Sequence, residues 1–166
     1  MAGVALRRGD LRAARPLLEE RLAICRKLGD PGLLVHALGG IGHLERDAGD
    51  YARARALYRE SLVVRRELGA LHALAQSLED LAVLAGRQGQ IERAIRLLGA
   101  AEAFCETLGA RPPVAVPAEY ERTVTAGRAV LGEAGFAARW AEGRAMSLEQ
   151  ATQYALEEAP GDAAVR

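Results

Sequence analysis

The chain lacks long hydrophobic runs, and it has no stretch typical of a secretion signal. Its apolar stretches are short and are interrupted by Arg, Glu or Gly, so the sequence predicts no membrane span. The opening residues, MAGVALRRGD, place arginines directly after a brief apolar patch, which is not the order found in signal peptides. We therefore expect a cytoplasmic protein.

An excess of one charge is also missing. The 22 basic and 22 acidic residues are interspersed and give a formal net charge of zero. A nucleic-acid-binding surface needs grouped cations that displace counterions from phosphates, so we predict no direct contact with nucleic acid. Lys27 is the single lysine, while arginine and alanine are abundant. This usage is typical of GC-rich coding sequences and favours a bacterial source.

Cysteine is scarce, since Cys25 and Cys105 are the only two. Each continues an apolar stripe at helical spacing, which predicts a small buried hydrophobic side chain rather than a redox group. Several predicted helices separate the two residues, whereas a disulfide needs Cα atoms within about 7 Å. We expect two reduced thiols.

Motifs that carry chemistry are absent as well. No phosphate-binding loop of the form G-x-x-x-x-G-K-[ST] occurs. His36 and His43 are separated by seven residues, or about 10.5 Å along a helix, which is too far to share one zinc ion. Acidic pairs such as Glu79–Asp80 and Glu19–Glu20 are expected to be solvated helix faces. We predict no catalytic residue, metal site or cofactor.

What the sequence does contain is an internal repeat. Three similar segments begin at Gly9, Gly49 and Gly89, that is, at intervals of 40 residues: GDLRAARPLLEERLAICRKLG, GDYARARALYRESLVVRRELG and GQIERAIRLLGAAEAFCETLG. Ala14, Ala54 and Ala94 recur at the same interval and are expected at close helix crossings. Such a period indicates a solenoid, in which each unit buries its apolar face against its neighbours.

Each repeat is predicted to be a pair of antiparallel helices. Apolar residues follow helical rather than alternating spacing. Asp30 and Pro31 form a favourable helix start, because the carboxylate caps free amides and proline fits the first turn. Glycines stand where helices should end, since glycine adopts the left-handed cap without strain: Gly29, Gly49, Gly69, Gly89 and Gly109.

The array resembles the tetratricopeptide repeats, whose pattern is W-x2-L-G-x2-Y, then A-x3-F. The positions that carry the resemblance are Leu38, Ile41, Gly42, Ala54 and Tyr58 in the middle repeat, and Leu78, Leu81, Ala82, Ala94 and Leu98 in the next. Glu45 takes the place of the tyrosine, the tryptophan is missing, and the period exceeds the usual 34. The resemblance implies an all-α, right-handed α-solenoid of antiparallel helix pairs with a C-terminal helical cap.

The two ends are expected to differ from the middle. We predict tetratricopeptide-like repeats over 1–110 with the first repeat truncated, a helix pair and capping helix over 111–159, and a loose tail over 160–166. The proline-rich ARPPVAVP predicts an extended loop, followed by helices over 118–131, 133–146 and 148–158. Ser147 and Gln150 form a capping box. Phe136 and Trp140 lie one helical turn apart, which favours a structural anchor.

The C-terminal part also resembles the carboxyl-terminal ends of large bacterial regulators. These join a signal-transduction ATPase to a helical-repeat sensor, often with a LuxR-type DNA-binding domain. The similar stretches are LLGAAEAF and LGEAGFAARWAEGRAMSLEQATQYALE, with Phe136, Trp140, Glu142, Gly143, Ser147, Ala151 and Leu156 the most characteristic residues. The resemblance implies the sensor or oligomerisation end of such a regulator.

In tetratricopeptide repeats the first helix of each pair lines a concave groove. Carried over residue by residue, the predicted groove comprises His36, Gly39, His43, Arg46, Asp47, Gln76, Glu79, Asp80, Val83 and Arg87. Gly39 and Gly40 are unusual, because a glycine inside a helix costs about 1 kcal/mol relative to alanine. Either they leave space for a bulky ligand group, or the helix simply tolerates them.

Three functional hypotheses remain open at this point. The first is a non-enzymatic scaffold that binds a protein, a peptide or sister domains of a parent regulator. The second is a small-molecule sensor with its ligand near His36, His43 and Asp80, which would shift the parent between resting and active states. The third is a homodimer formed through the unfinished N-terminal face, where exposed apolar residues favour a symmetric partner.

Overall fold

The computed structural model describes residues 11–109 and 117–157, with side chains from residue 15 onward. All regular secondary structure in these ranges is helical, which confirms the predicted all-α fold of helix pairs. The helices are α1 (Leu11–Leu28), α2 (Pro31–Asp47), α3 (Tyr51–Glu67), α4 (Leu71–Arg87), α5 (Ile91–Thr107), α6 (Pro117–Arg144) and α7 (Leu148–Leu156). None of them is long and apolar enough to cross a membrane.

Glycines end the first five helices as predicted. Gly29, Gly49, Gly69, Gly89 and Gly109 all have positive φ, between 62° and 84°. At the end of α2 the Asp50 amide donates to the Glu45 carbonyl at 2.8 Å and the Gly49 amide donates to the Arg46 carbonyl at 3.0 Å. These bonds satisfy carbonyls that the helix leaves free, and a left-handed glycine directs the chain into the next helix.

The chain divides into two compact units, Met1–Val64 and Arg65–Arg166. In the first unit, α1 packs against α2 through one apolar cluster, which also includes a residue of α3: Leu18, Leu22, Cys25, Ala37, Leu38, Ile41, Leu44 and Leu57. The start of α2 is capped as predicted, because the Asp30 carboxylate accepts the Leu33 amide at 3.0 Å. Cys25 belongs to this apolar cluster, so it is a small buried side chain, as the sequence predicted.

A close helix crossing in the first unit explains one repeat glycine. Gly42 of α2 faces the ring of Tyr58 on α3, which is almost fully buried, and a Cβ at Gly42 would come within 2.7 Å of the ring carbon Cδ1. Ala54 of α3 has no exposed surface. Small residues at these positions allow the bulky ring to fill the space between the helices.

In the second unit α5 packs against both α4 and α6. The residues with almost no exposed surface include Leu78, Ala82, Ala94, Leu98 and Cys105. Cys25 and Cys105 are both buried free thiols, as predicted. The repeat positions of α4 and α5 thus form the interior of this unit.

Two glycines bring α5 and α6 into backbone contact. A Cβ on Gly99 would overlap the Trp140 carbonyl, and a Cβ on Gly143 would overlap the Arg96 carbonyl. Glycine is the residue that permits such an approach, because any side chain would occupy the space of the opposing carbonyl. The second half of α6 is therefore held tightly on α5.

The C-terminal helices follow the predicted pattern with small changes at their ends. Helix α6 is interrupted at Gly132, whose φ of 67° and ψ of 170° are not helical, so its two halves part where the sequence predicted. The second half ends at Arg144 rather than at residue 146, and α7 ends at Leu156 rather than at residue 158. The predicted truncated first helix, the loop up to residue 116 and the tail lie outside the described residues.

The predicted capping box at the start of α7 is present. The Ser147 hydroxyl accepts the Gln150 amide at 3.2 Å, and the Gln150 side chain accepts the Ser147 amide at 2.8 Å. Two of the amides at the helix start are thereby satisfied reciprocally.

Candidate functional site

The first half of the predicted groove lies on α2, within the first unit. His36 and Asp47 are exposed and His43 is half-buried, whereas Gly39 and Arg46 are buried. Arg46 Nε donates to Asp47 Oδ1 at 2.9 Å. The accessible side chains of this half are thus the two histidines and Asp47.

The centre of α2 has unfilled space. A Cβ at Gly39 or Gly40 would meet no atom within 4 Å outside the helix's own backbone. His43 lies one turn further along and its ring contacts that of Tyr58, with centroids 5.7 Å apart and planes tilted by 59°. Packing within the structure therefore does not require glycine at residues 39 and 40.

A buried carboxylate that the groove prediction omitted lies between the helices of the first unit. Glu45 is only 2% exposed, and it pairs with Arg15 of α1 and with Arg53 of α3. The distance from Arg53 Nε to Glu45 Oε1 is 3.2 Å. Arg53 also pairs with the solvated Glu19. Glu45 stands where the repeat pattern has a tyrosine. This charged residue at an aromatic position was the sequence feature that could have indicated a buried ion pair.

The second half of the predicted groove lies on α4, within the second unit. Arg87 is exposed and Gln76 is half-buried, but Glu79, Asp80 and Val83 are 3%, 6% and 4% exposed. The expectation that Glu79 and Asp80 form a solvated face is therefore wrong. Almost the whole circumference of α4 is buried in its middle turns, so charged residues there face protein instead of water.

Burial of Asp80 accompanies burial of an arginine. Arg65 donates to the Ala73 carbonyl at 2.9 Å and to the Ser77 hydroxyl at 2.8 Å. Burial lowers the pKa of the Arg65 guanidinium, and the charge of Asp80 opposes that shift. Asp80 thus supplies the countercharge that a buried guanidinium requires.

The last residue of the predicted groove is engaged with α6. Arg87 donates from Nε and Nη2 to the two oxygens of Glu119, at 2.9 and 2.8 Å. Arg122 donates to the same carboxylate at 3.0 Å. Such a bidentate pair fixes both distance and orientation, so Arg87 joins α4 to the first turn of α6.

The residues predicted to be anchors also line a cleft. Phe136 is buried and stacks on the half-buried Trp140, with ring centroids 5.3 Å apart and an interplanar angle of 24°. Around these rings is a cleft of about 520 Å³, here called the aromatic cleft, lined by Glu102, Tyr120, Val124, Arg128, Glu133, Phe136, Ala137, Trp140, Ala141 and Arg144. The sequence signal for it was the Phe136–Trp140 spacing, which predicted packing but not a cavity.

Charged side chains surround the aromatic cleft in matched pairs. Glu102 Oε2 accepts from Trp140 Nε1 at 2.9 Å and from Arg144 at 2.7 Å. The Arg128 guanidinium lies 4.4 Å above the Phe136 ring and pairs with Glu133. These contacts orient the walls of the cleft.

The surroundings of the cleft shift the pKa of the Tyr120 hydroxyl and of the Glu106 carboxyl. Burial raises the pKa of the Tyr120 hydroxyl, and the charges of Glu102 and Glu79 raise it further. The hydrogen bond from Arg144 lowers the pKa of Glu106. Tyr120 therefore remains a neutral phenol at physiological pH, while Glu106 is ionised.

A second cleft, of about 630 Å³, lies between the end of α6 and α7. Its lining residues are Glu142, Ala145, Met146, Glu149, Gln150, Gln153, Tyr154 and Glu157. Arg93 lies 4.8 Å from the centroid of the Tyr154 ring and donates to the Tyr154 and Glu157 carbonyls at 2.7 and 2.9 Å. Within the described part of the chain, no three His, Cys, Asp or Glu side chains are grouped so as to hold a metal ion.

The sequence pattern of the tetratricopeptide repeat family matches residues 1–62 and residues 33–107 of the chain. The chain belongs to the tetratricopeptide repeat family. The repeats of this family suggest a protein-interaction scaffold and are generally not catalytic. No solved structure matches the chain significantly.

Three curated relatives are similar to part of the chain. They come from Mycobacterium bovis and from two strains of Mycobacterium tuberculosis, and their names describe them as HTH-type transcriptional regulators. Each is 40% identical over 75 residues, which is 45% of this chain. The chain matches only 8% of the length of these relatives.

Proposed function

We propose that this tetratricopeptide-repeat chain is a non-enzymatic interaction module that binds a protein or peptide as the regulatory part of a larger bacterial transcriptional regulator. The observation that carries the proposal is the combination of helical repeats with 40% identity to relatives named as such regulators. Because the similar region is 8% of those relatives, a module of a larger cytoplasmic protein fits better than a complete regulator.

Each unit by itself supplies contact residues that the sequence predicted. On α2 the accessible side chains are His36, His43 and Asp47, next to the unfilled space at Gly39 and Gly40. On α4 the exposed residue is Arg87, and Gln76 is half-buried. The remaining predicted residues are Arg46, Glu79, Asp80 and Val83, whose burial supports a role in holding the helices rather than direct contact.

The test uses the whole chain as bait with a lysate of a mycobacterium, and it compares three forms of the bait. We expect wild-type chain to retain a defined partner that the His36→Ala/His43→Ala double variant loses. His72→Ala is the matched control, because His72 is exposed but outside the predicted groove. Equal retention by all three forms would remove α2 from the binding surface, and no specific retention by wild type would contradict the proposal.

A small-molecule sensor is the second candidate, favoured by the unfilled space beside Gly39 and Gly40. In this alternative a metabolite contacts His36 and His43 and shifts the parent regulator towards its active state. Asp80 was part of the sequence prediction, but its burial beside Arg65 speaks against direct contact. A panel of metabolites that raises the melting temperature of wild type and not of His36→Ala/His43→Ala would favour the sensor.

Self-association is proposed for the N-terminal region. Ile24 and Leu28 of α1 are 49% and 65% exposed, which leaves apolar surface on the first unit. A second copy of the chain could cover such a surface. We expect light scattering to give a dimer mass for wild type and a monomer mass for Ile24→Glu/Leu28→Glu, whereas a monomeric wild type would exclude the dimer.

A further inference from the structure

The aromatic cleft of the second unit is not used by the predicted groove. Apolar side chains make up most of its lining, with Tyr120, Val124, Phe136 and Trp140 as the largest. Its volume of about 520 Å³ lies within the range of about 300–1,000 Å³ that is usual for small-ligand sites. The cleft is thus large enough for one compact ring system.

The charges of the lining favour an uncharged occupant. Glu102 and Glu133 contribute two carboxylates, while Arg128 and Arg144 contribute two guanidinium groups. Glu102 pairs with Arg144, and Glu133 pairs with Arg128. The four charges of the lining cancel, so the cleft offers no net countercharge to a charged ligand, whereas a neutral ring leaves both pairs intact.

One acceptor remains available at the wall of the cleft. Both hydrogen bonds that Glu102 accepts, from Trp140 and from Arg144, end on Oε2. No hydrogen bond within the described residues ends on Oε1 of the same carboxylate, and 30% of the side chain is exposed. A ligand with an N–H or O–H group can therefore donate to Glu102 without displacing either partner.

We propose that the aromatic cleft binds an uncharged planar aromatic ring that carries an N–H or O–H donor. The ring lies against Tyr120 and Trp140, and its donor bonds to Glu102. Aromatic rings contact one another favourably in offset or edge-to-face arrangements, and a hydrogen bond to a carboxylate adds directional selectivity. This site is separate from the proposed groove, so it stands or falls independently of the proposed function.

Indole is the first probe, and the natural reporter is Trp140, the single tryptophan of the chain. In a titration of the ¹⁵N-labelled full chain, we expect the Trp140 indole N–H resonance and the amides of the cleft to shift and saturate. Indene has the same shape without a donor, and we expect it to bind about tenfold more weakly. Absence of saturation at about 10 mM indole, or equal binding of indene, would overturn the proposal.

Variants locate the site. Ala137→Phe fills the cleft and should abolish the saturable shifts, whereas Ala138→Phe is the matched control, because Ala138 is exposed on the same helix but does not line the cleft. Thermal melting checks that both variants are folded. If Ala137→Phe does not fold, Ala141→Phe fills the cleft from the next turn. Undiminished indole binding in a folded cleft-filling variant would show that the ring binds elsewhere and would overturn the assignment.

The same chemistry occurs in free metabolites and in tryptophan or tyrosine side chains of a peptide. N-acetyl-tryptophanamide distinguishes these sources, because it carries the indole ring on a peptide-like backbone. Saturable shifts of the same resonances with this probe would assign the cleft to a peptide side chain. Shifts with indole alone would assign it to a free small molecule, and either result supports the site.

Discussion

Helices α2 and α4 occupy equivalent places in successive repeats, yet they use those places differently. Gly39 and Gly40 of α2 correspond, 40 residues later, to Glu79 and Asp80 of α4. The glycines adjoin unfilled space, whereas the two acids are buried in the second unit. The same two repeat positions therefore carry glycines with room for a side-chain carbon in one unit and buried acids in the other.

The comparison extends to the crossing with the following helix. Gly42 corresponds to Ala82, and Tyr58 corresponds to Leu98. A Cβ at Gly42 would overlap the Tyr58 ring. In the next repeat Ala82 is fully buried, and the residue equivalent to Tyr58 is the smaller Leu98. The larger residue on one helix is matched by the smaller residue on the other, so both crossings can be closely packed.

The largest expected effect comes from breaking the ionic interior of α4. Asp80→Ala removes the countercharge of Arg65, which is buried, and should lower the free energy of unfolding by about 3–5 kcal/mol. Urea denaturation at neutral pH measures the change. Glu20→Ala is the control on α1, where the glutamate is exposed, and should cost at most about 1 kcal/mol. Equal losses would mean that Asp80 does not act as a buried countercharge.

Overpacking the small position that recurs in the second helix of each pair should have the next largest effect. Ala54 and Ala94 have no exposed surface, so Ala54→Leu and Ala94→Leu should each cost about 1–3 kcal/mol. Ala56→Leu is the control, because Ala56 is exposed on α3. Thermal unfolding monitored by circular dichroism gives the comparison. Tolerance of leucine at either buried alanine would contradict the close crossing there.

A pair of glycine substitutions within α2 should change stability in opposite directions. Gly40→Ala should stabilise the chain by about 1 kcal/mol, because alanine favours the helix and its methyl group meets no neighbour. Gly42→Ala should destabilise it, because its methyl group overlaps Tyr58. Melting temperatures should move by roughly 2–4 °C per kcal/mol. A rise for both variants would show that the Tyr58 ring moves aside at low cost.

The sequence predicted the parts of the molecule that depend on local rules. Gly29 and the four equivalent glycines end helices, Asp30 and Ser147 cap helix starts, and Gly132 interrupts α6. These features could be predicted because each involves residues close together in the chain. Ala54 was also predicted to be buried, because the repeat period reveals positions that share an environment. These features were sufficient to predict the fold.

The candidate sites were harder to predict because they depend on which elements surround a residue. Glu79 and Asp80 follow the pattern of a solvated helix face, and only the packing of the whole second unit shows them to be buried. The aromatic cleft requires Tyr120 of one half of α6 and Trp140 of the other to approach Glu102 of α5. No spacing within a single helix encodes that approach.

The smallest expected effect concerns acid stability of the second unit. Arg144 lowers the pKa of Glu106, and Arg96 lowers that of Glu142, so both carboxylates lose protons more readily in the folded chain. A group whose pKa is lowered on folding adds stability that is fully present above its unfolded pKa, about 4.3 for glutamate, and is lost as the pH falls through the folded value. Unfolding of wild type should therefore become easier below about pH 4.3.

The double variant Glu106→Gln/Glu142→Gln should flatten this acid dependence while changing little between pH 6 and 8 beyond the loss of three ion pairs, with Arg96, Arg139 and Arg144. Glu149→Gln, at an exposed carboxylate of α7, should leave the wild-type acid dependence in place. Melting temperatures measured from pH 3 to pH 7 decide the matter. An unchanged profile in the double variant would mean that Arg144 and Arg96 do not couple these carboxylates to folding, and the contacts between α5 and α6 would then rest on the close approach at Gly99 and Gly143.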